Sequence, residues 1–264
     1  MSFLDEISVL ILTYNEAPNI GRTLHALRAF SEIVILDSHS TDSTVEIVSQ
    51  YANARLVTRS FDNHASQWNY GLTACGIERP WVLALDADHL VPGALLDEIA
   101  RLSPSRAMAG YRVPFRYCVG GRRLSGSLYS PITTLYQRDR AYYIQSGHTQ
   151  RVVIDGAVGD LTTPIDHDDR KPLRRWFSAQ QRYAELEACY LLGALRSNLR
   201  RTDRLRLTGW AAPVLIFPYT LLWKRCILDG WVGWFYVLQR TLAETMIALE
   251  LFEQRLRRAP QNTL

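Results

Sequence analysis

The sequence predicts an α/β fold, a sheet with helices on both faces, followed by a helical C-terminal extension. Three observations carry this expectation. Apolar runs of strand length alternate with amphipathic stretches of about a dozen residues, as βαβ units do. The runs Ile7–Leu12, Ile33–Leu36 and Trp81–Leu85 are near-continuous rather than alternating, as strands buried on both faces require. After His167 the composition shifts to long helical patterns rich in Arg and aromatic residues.

The elements follow in order. The first run ends in Thr13-Tyr14-Asn15-Glu16, and Pro18 sits where a first helical turn tolerates it, opening a helix through Ala29. The second run ends in Asp37-Ser38-His39-Ser40-Thr41-Asp42 and leads into a helical pattern from Ser43 to Tyr51. A weaker strand, Ala54 to Thr58, precedes a helix from Ala65 to Cys75. The run from Trp81 ends in Asp86-Ala87-Asp88, and a helix follows from Pro92 to Leu102.

In open α/β sheets the ligand lies beyond the carboxyl ends of the strands. The polar clusters Thr13–Glu16, Asp37–Asp42 and Asp86–Asp88 stand at those ends. One cluster alone would read as turn chemistry, since Asn, Asp, Ser and Thr are turn formers. Three on one rim favour a site. If strand geometry continues, Asp86 and Asp88 lie on the same side of the chain. Together they can hold one hard divalent cation, Mg²⁺ or Mn²⁺, through oxygen. The bland alternative is a solvated turn with Asp88 capping the next helix. No Gly-rich dinucleotide fingerprint and no P-loop is present, so phosphate would depend on a metal.

The segments SVLILTYNE (Ser8–Glu16), DSHSTD (Asp37–Asp42), QWNYGL (Gln67–Leu72) and LDAD (Leu85–Asp88) resemble, in order and spacing, the family 2 glycosyltransferases of the GT-A fold. The resemblance covers roughly residues 5–105. It implies a Rossmann-like mixed sheet, a nucleotide-diphosphate sugar donor of UDP-sugar type, a divalent metal and inversion at the anomeric carbon. It implies Thr13, Tyr14, Asn15 and Glu16 around the nucleoside, Asp37 against the base edge and Asp42 in support. Asp86 is implied near the ribose or metal, and Asp88 as direct metal ligand. Where many members carry Arg or Lys before the Asn of the third motif, this chain has Trp68, leaving Gln67 and Asn69 as candidates toward the diphosphate. Pro164–His167, Arg182–Ala184 and Leu228–Gly233 resemble the tail of bacterial lipopolysaccharide core glucosyltransferases, which implies His167 as a further metal or diphosphate ligand. That subgroup often carries a His-Glu pair, and the corresponding stretch here is His148-Thr149-Gln150, without the Glu. The expected division is 1–167 for the catalytic domain and 168–264 for the helical region.

A general base must then come from elsewhere. Asp166-His167-Asp168-Asp169 is the densest titratable cluster in the second half, which makes Asp168 the first candidate base and His148 the alternate. Asp168 and Asp169 can also be read as caps of the next helix.

At 264 residues and a net charge of +4, the chain is large enough for a proper core and too weakly basic, without a recognition motif, for a nucleic-acid partner. Its four cysteines are widely spaced and suggest a reducing compartment, and the N-terminus lacks signal-peptide features, so a cytoplasmic location is expected. The tract from Arg196 to Trp223 joins a basic stretch to an apolar-aromatic run too short to span a bilayer, which needs about 20 apolar residues. It reads either as helices packed as core with solvated arginines or, with a glycan or lipid-linked acceptor, as peripheral contact with an anionic membrane, the reading that such an acceptor favours. Two rival functions remain open. A nucleotide-sugar-binding module without catalysis would explain Gln150. A nucleotidyltransferase also uses paired carboxylates, but would carry a Gly- and Lys/Arg-rich loop where this chain has Thr13–Glu16.

Overall fold

The computed structural model describes residues 2–146, 149–195, 197 and 199–258. The chain divides into two compact units, Met1–Arg123 with Tyr129–Lys171, and Leu124–Leu128 with Pro172–Leu264. The helical unit thus begins at Pro172 rather than at 168, and takes in a short segment from the first half of the chain.

The first unit opens with a 3-10 turn, Phe3–Glu6, capped by Ser2. Then come β1 (Ile7–Thr13), α1 (Ala17–Ala26), β2 (Ile33–Asp37), α2 (Thr44–Val48), β3 (Ala54–Thr58) and α3 (His64–Ala74). β4 (Trp81–Asp86), β5 (His89–Leu90), α4 (Gly93–Ala100), β6 (Met108–Val113), β7 (Phe115–Val119) and β8 (Arg122–Arg123) follow. β9 (Ile132–Gln137), β10 (Ala141–Ser146), β11 (Thr149–Ile154), β12 (Ala157–Asp160) and β13 (Ile165–His167) complete it.

The main sheet has the order β12-β6-β9-β4-β1-β2-β3. β4, β1, β2 and β3 run parallel, while β9 pairs antiparallel with β4 and with β6, so the sheet is mixed. Alternation along the strands sends side chains to two helical layers. Ile7, Val9 and Ile11 join Ile20 and Leu24 of α1 and Leu95 and Ile99 of α4 in one core. Leu10, Val34 and Leu36 join Ala65, Trp68 and Leu72 of α3 in the other. Gly71 makes the α3 contact close, since a Cβ there would stand 2.7 Å from Leu10 Cδ2.

A smaller sheet, β5-β13-β7-β8, matters for function. In it His167 pairs with His89 on one side and Tyr117 on the other. This register carries the end of the first unit back to the strand turn that holds Asp88.

The second unit consists of α5 (Leu173–Gly193), α6 (Arg201–Arg206), α7 (Ala211–Pro218), a π-helical turn (Tyr219–Trp223), a 3-10 turn (Cys226–Asp229) and α8 (Trp231–Arg258). Arg206 ties it together. Its guanidinium donates to Glu187 Oε1 on α5 at 2.9 Å and to Glu244 Oε2 on α8 at 2.8 Å. Burial works against the charge on Arg206, and the two carboxylates outweigh it, holding its pKa above the usual range. Arg206 was expected within the membrane-facing basic tract and instead serves this internal triad. Arg196 of the same tract lies outside the described residues. Among the described residues no helix is long and apolar enough to cross a membrane. Cys75, Cys118, Cys189 and Cys226 are free thiols.

Candidate active site

The carboxyl ends of β1, β2 and β4 lie in register, with Thr13 opposite Asp37 and Leu12 opposite Asp86. The polar clusters therefore meet on one rim. What each residue does there differs from the sequence expectation in several places.

Asp37 is 1% exposed. Its Oδ1 accepts from the Thr13 hydroxyl at 2.8 Å and the Ser40 hydroxyl at 2.6 Å, and its Oδ2 accepts from the Ser40 backbone at 2.7 Å. It was expected against a base edge; its carboxylate is instead enclosed and clamps the loop after β2 to the end of β1. Thr13 is likewise buried. Asn15 works in the same direction. It adopts a left-handed φ of 55°, and its Oδ1 accepts from the backbones of Thr41 and Asp42 at 2.6 and 3.2 Å. Asp42 accepts from the backbones of Ala17 and Thr44 and so holds the same loop. Tyr14, 54% exposed, is the member of this group that presents a large surface to solvent.

Gln67 and Asn69, candidates toward the diphosphate, both have partners within the protein. Gln67 is fully buried and donates to the Ser38 hydroxyl at 3.1 Å while accepting from Arg59. Asn69 makes a two-way bond with the backbone of Tyr143, at 2.9 and 2.8 Å, docking α3 on the β10–β11 hairpin. Between them in sequence, Trp68 is buried and stacks on Tyr143 at 5.3 Å. These amides were expected at the diphosphate because their place in the third motif is visible in sequence; the backbone they satisfy, more than seventy positions away for Asn69, is not.

The turn after β4 is the chemical centre. Asp86 ends the strand with a side chain 51% exposed, whereas the Asp88 side chain is 11% exposed. The strand does not continue through both, so the two carboxylates do not share a side through the pleat as expected; the chain turns at Ala87, whose carbonyl accepts from Thr23 of α1 at 2.6 Å. Nor does Asp88 cap α4, which begins after Pro92 without a side-chain cap. The carboxylates converge on His89. Its Nε2 lies 3.6 Å from Asp86 Oδ2 and 3.9 Å from Asp88 Oδ1. Its Nδ1 accepts from the Asp86 backbone at 3.0 Å. A neutral imidazole accepting at Nδ1 must carry its proton on Nε2. Burial keeps His89 neutral by lowering its pKa. His89 thus presents an N–H toward the two carboxylates rather than a lone pair toward a metal.

His167 arrives from β13 with Nδ1 3.5 Å from Asp88 Oδ1. The rings of Tyr117 and Tyr129 flank it, each with a centroid 4.9 Å from its own. Asp88 Oδ1, His89 Nε2 and His167 Nδ1 are buried and make no hydrogen bond, and ligand atoms of the three residues lie within 4.8 Å of one another. Buried polar atoms left unsatisfied are costly and mark a place where another group belongs. Burial alone would raise the Asp88 carboxyl; His167 and Lys171 outweigh it and hold its pKa below the usual range.

Lys171 was missed by the sequence reading. Its ammonium contacts Glu16 Oε1 at 2.5 Å and Asp169 Oδ1 at 3.4 Å. Burial lowers its pKa, and Glu16, Asp88 and Asp169 outweigh burial, so it stays protonated. The available signal was the pair Arg170-Lys171 directly after the acidic run. Glu16, expected at the nucleoside, is instead taken up by Lys171 and by Asn19, which donates to it at 2.8 Å.

Asp168 is not placed to act as a base. It is 1% exposed; its Oδ2 accepts from Arg22 and Arg170, each at 2.8 Å, and its Oδ1 from the Gly121 backbone at 3.0 Å. Burial alone would raise its pKa, but Arg170, the Gly121 N–H and Arg22 together lower it, opposite to the tuning a base needs. Neither Asp168 nor Asp169 caps α5, whose N-cap is Pro172. The alternate, His148, lies outside the described residues.

Over 120 residues the chain is 32% identical to the lipopolysaccharide core biosynthesis glycosyltransferase LpsC of Rhizobium meliloti, covering 43% of this chain and 44% of that one. An uncharacterized glycosyltransferase of Rickettsia bellii is 32% identical over 107 residues, covering 40% of this chain and 35% of that one. The aligned region therefore spans less than half the length of either relative. Among solved structures, S. aureus TarS 1-349 in complex with UDP-GlcNAc superposes with a TM-score of 0.50 at 14% identity, over 98% of this chain and 93% of that one, a likeness of fold. The family model for glycosyl transferase family 2 matches residues 8–225, and with a mixed sheet of GT-A type beneath it the chain belongs to that family.

Proposed function

We propose that this protein is an inverting, metal-dependent glycosyltransferase. It moves a sugar from a nucleotide-diphosphate sugar, of UDP-sugar type, to a glycan or lipid-linked acceptor in lipopolysaccharide or other cell-envelope polysaccharide synthesis. The observation that carries this reading is the convergence of Asp88 and His167, with Asp86 beside them, on one point of the rim, with buried ligand atoms that make no hydrogen bond. Membership of the family and the likeness to the UDP-GlcNAc complex of TarS support the donor class.

Asp88 and His167 would hold the cation, with Asp86 at its solvent side. A donor set that mixes carboxylate with imidazole suits Mn²⁺ better than Mg²⁺, which prefers oxygen throughout. When bound, the cation offsets the charge on the departing diphosphate. Lys171 adds a fixed positive charge near the same point, tied down by Glu16 and Asp169. Tyr14 offers an exposed ring on the nucleoside side of the rim. Asp37, Asn15 and Asp42 set the shape of that side rather than touching the donor. The work is done on the cytoplasmic side of the membrane, where nucleotide sugars serve as donors.

The test is turnover of a panel of UDP-sugars with Mn²⁺ and candidate acceptors. Release of nucleoside diphosphate that stops in EDTA and in Asp88→Ala is the expected result. Release of pyrophosphate would indicate a nucleotidyltransferase. Donor binding without release under any acceptor would indicate a binding module.

A further inference from the structure

The helical unit presents an exposed apolar face along α8. In α8 the exposed positions from Trp231 to Phe252 are Trp231, Trp234, Leu238, Leu242, Leu249 and Phe252, every one a large hydrophobic. They recur at the three- and four-residue spacing of a single helical stripe. The opposite stripe, including Val232, Tyr236, Val237 and Leu251, is buried in the unit. An ordinary surface helix buries one apolar stripe and wets a polar one; α8 is apolar on both sides, and the charged Glu244 is turned inward to Arg206.

α7 and the π-helical turn extend the same character. Trp210, Val214, Leu222 and Trp223 are 60 to 76% exposed, and the ring of Phe217 on α7 stands 6.0 Å from Trp234 on α8, joining the two surfaces. Scattered exposed hydrophobics need no explanation, but a contiguous surface of this kind marks an interaction site.

Charge identifies the occupant. Between Trp210 and Leu238 the chain carries Lys224, Arg225 and one acid, Asp229. Asp229 is taken up by Ser125, which donates to it from backbone and hydroxyl at 2.9 and 2.5 Å. Arg225 is exposed beside Trp223, and Arg200 and Arg201 are exposed at the start of α6. Over this stretch the exposed charge beside the apolar face is therefore cationic, while Glu253, next to Phe252, pairs with Arg257. A two-fold contact with a second copy would set this face against itself and bring like charges together. Trp and Tyr beside basic residues instead match the headgroup level of a bilayer with anionic lipids. No described helix can span, so the contact is in the plane of the surface.

We propose that the face formed by α7, the turn after it and α8 docks on an anionic phospholipid surface, with Trp223, Leu228 and Leu238 entering the headgroup layer and Lys224 and Arg225 contacting lipid phosphates. Its purpose rests on the lipid-linked acceptor proposed above. It keeps the apolar half of the tract expected in sequence and extends the contact along α8, while Arg206 of the basic half is engaged within the unit.

The experiment uses the full chain with vesicles of phosphatidylcholine alone and of phosphatidylcholine mixed with phosphatidylglycerol. Two variants are compared: Trp223→Ser with Leu228→Ser and Leu238→Ser, and Lys224→Ala with Arg225→Ala. The replaced side chains of the first are 57 to 76% exposed, so its melting temperature should match the wild type. Wild-type protein should sediment with the anionic vesicles and show a blue shift of tryptophan emission. The triple variant should lose sedimentation by about tenfold or more. The double variant should lose the preference for anionic over neutral vesicles. Wild-type protein that stays in the supernatant, or a triple variant that sediments like wild type, overturns the proposal. So does a wild-type dimer in light scattering that the triple variant dissociates while neither binds vesicles. Binding of UDP-GlcNAc by calorimetry is followed in parallel; its loss in wild type would count against the donor reading alone, because the vesicle assay needs no turnover.

Discussion

The backbone N–H of Asp86 donates to Nδ1 of His89 at 3.0 Å, and this one bond sets the tautomer of a buried imidazole at the centre of the site. With Nδ1 occupied, the Nε2 proton faces the carboxylates of Asp86 and Asp88, 3.6 and 3.9 Å away. Groups that orient ligating carboxylates hold affinity without touching the metal.

His89→Ala should therefore weaken Mn²⁺ binding by about 10- to 100-fold, the usual effect of losing such a partner. Asp88→Ala should abolish it. Calorimetric titration of Mn²⁺ distinguishes the two, and a His89→Ala protein with wild-type affinity would remove His89 from this role.

Asp168→Asn is expected to act on stability rather than on proton transfer. It leaves Arg22 and Arg170 facing an amide where a carboxylate stood. Breaking a buried pair costs more than breaking a surface one, and because these guanidinium side chains are 33% and 39% exposed the loss should be about 2 kcal/mol. Urea denaturation reads it. The pH profile of the remaining activity should keep its shape; a shifted or flattened profile would restore Asp168 as a base.

Asp37→Ala should lower stability and nucleotide affinity together. The substitution strands the buried Thr13 hydroxyl and two half-buried donors of Ser40, for a total of about 2–3 kcal/mol. Chemical denaturation and calorimetry with UDP provide the two readings. Loss of UDP affinity at unchanged stability would show that the carboxylate meets the ligand directly.

Glu98 supplies an acid-sensitive tie. Burial alone would raise its pKa, but bonds from Thr162 and Thr163 outweigh this and lower it from 4.5 to about 2. A carboxylate depressed in the folded state binds fewer protons there than in the unfolded chain. Its stabilising contribution is therefore present above about pH 4.5 and lost as pH falls toward 2. Glu98→Gln should be less stable than wild type at pH 7, and the difference should shrink through that window. Melting temperatures measured across it check the sign, and a constant difference would show that the carboxylate charge is immaterial.

What was legible in the sequence has a common physical origin. A strand buried on both faces must be apolar along its length, and where it leaves the sheet its chain must turn and meet water. The ends of β1, β2 and β4, and the acidic rim they form, could thus be read directly. Asp88 and His167, which the fold brings to 3.5 Å of each other, were also singled out in sequence, as motif residues. The roles of Asp37, Gln67, Asn69 and Asp168 were not. Each is polar at a place that suits a ligand, and each is satisfied by groups that only folding brings near: Ser40 across a turn, the backbone of Tyr143, the guanidinium of Arg22. His89 and Lys171 were missed for the same reason, because their meaning lies in β13 pairing with β5 and in the strap that follows it. For the C-terminal region the sequence by itself determined helical patterns rich in Arg and aromatic residues. Tertiary packing alone decided which stripe of α8 is buried and which is left for another surface, since periodicity states that a helix has faces and contact decides which of them is covered.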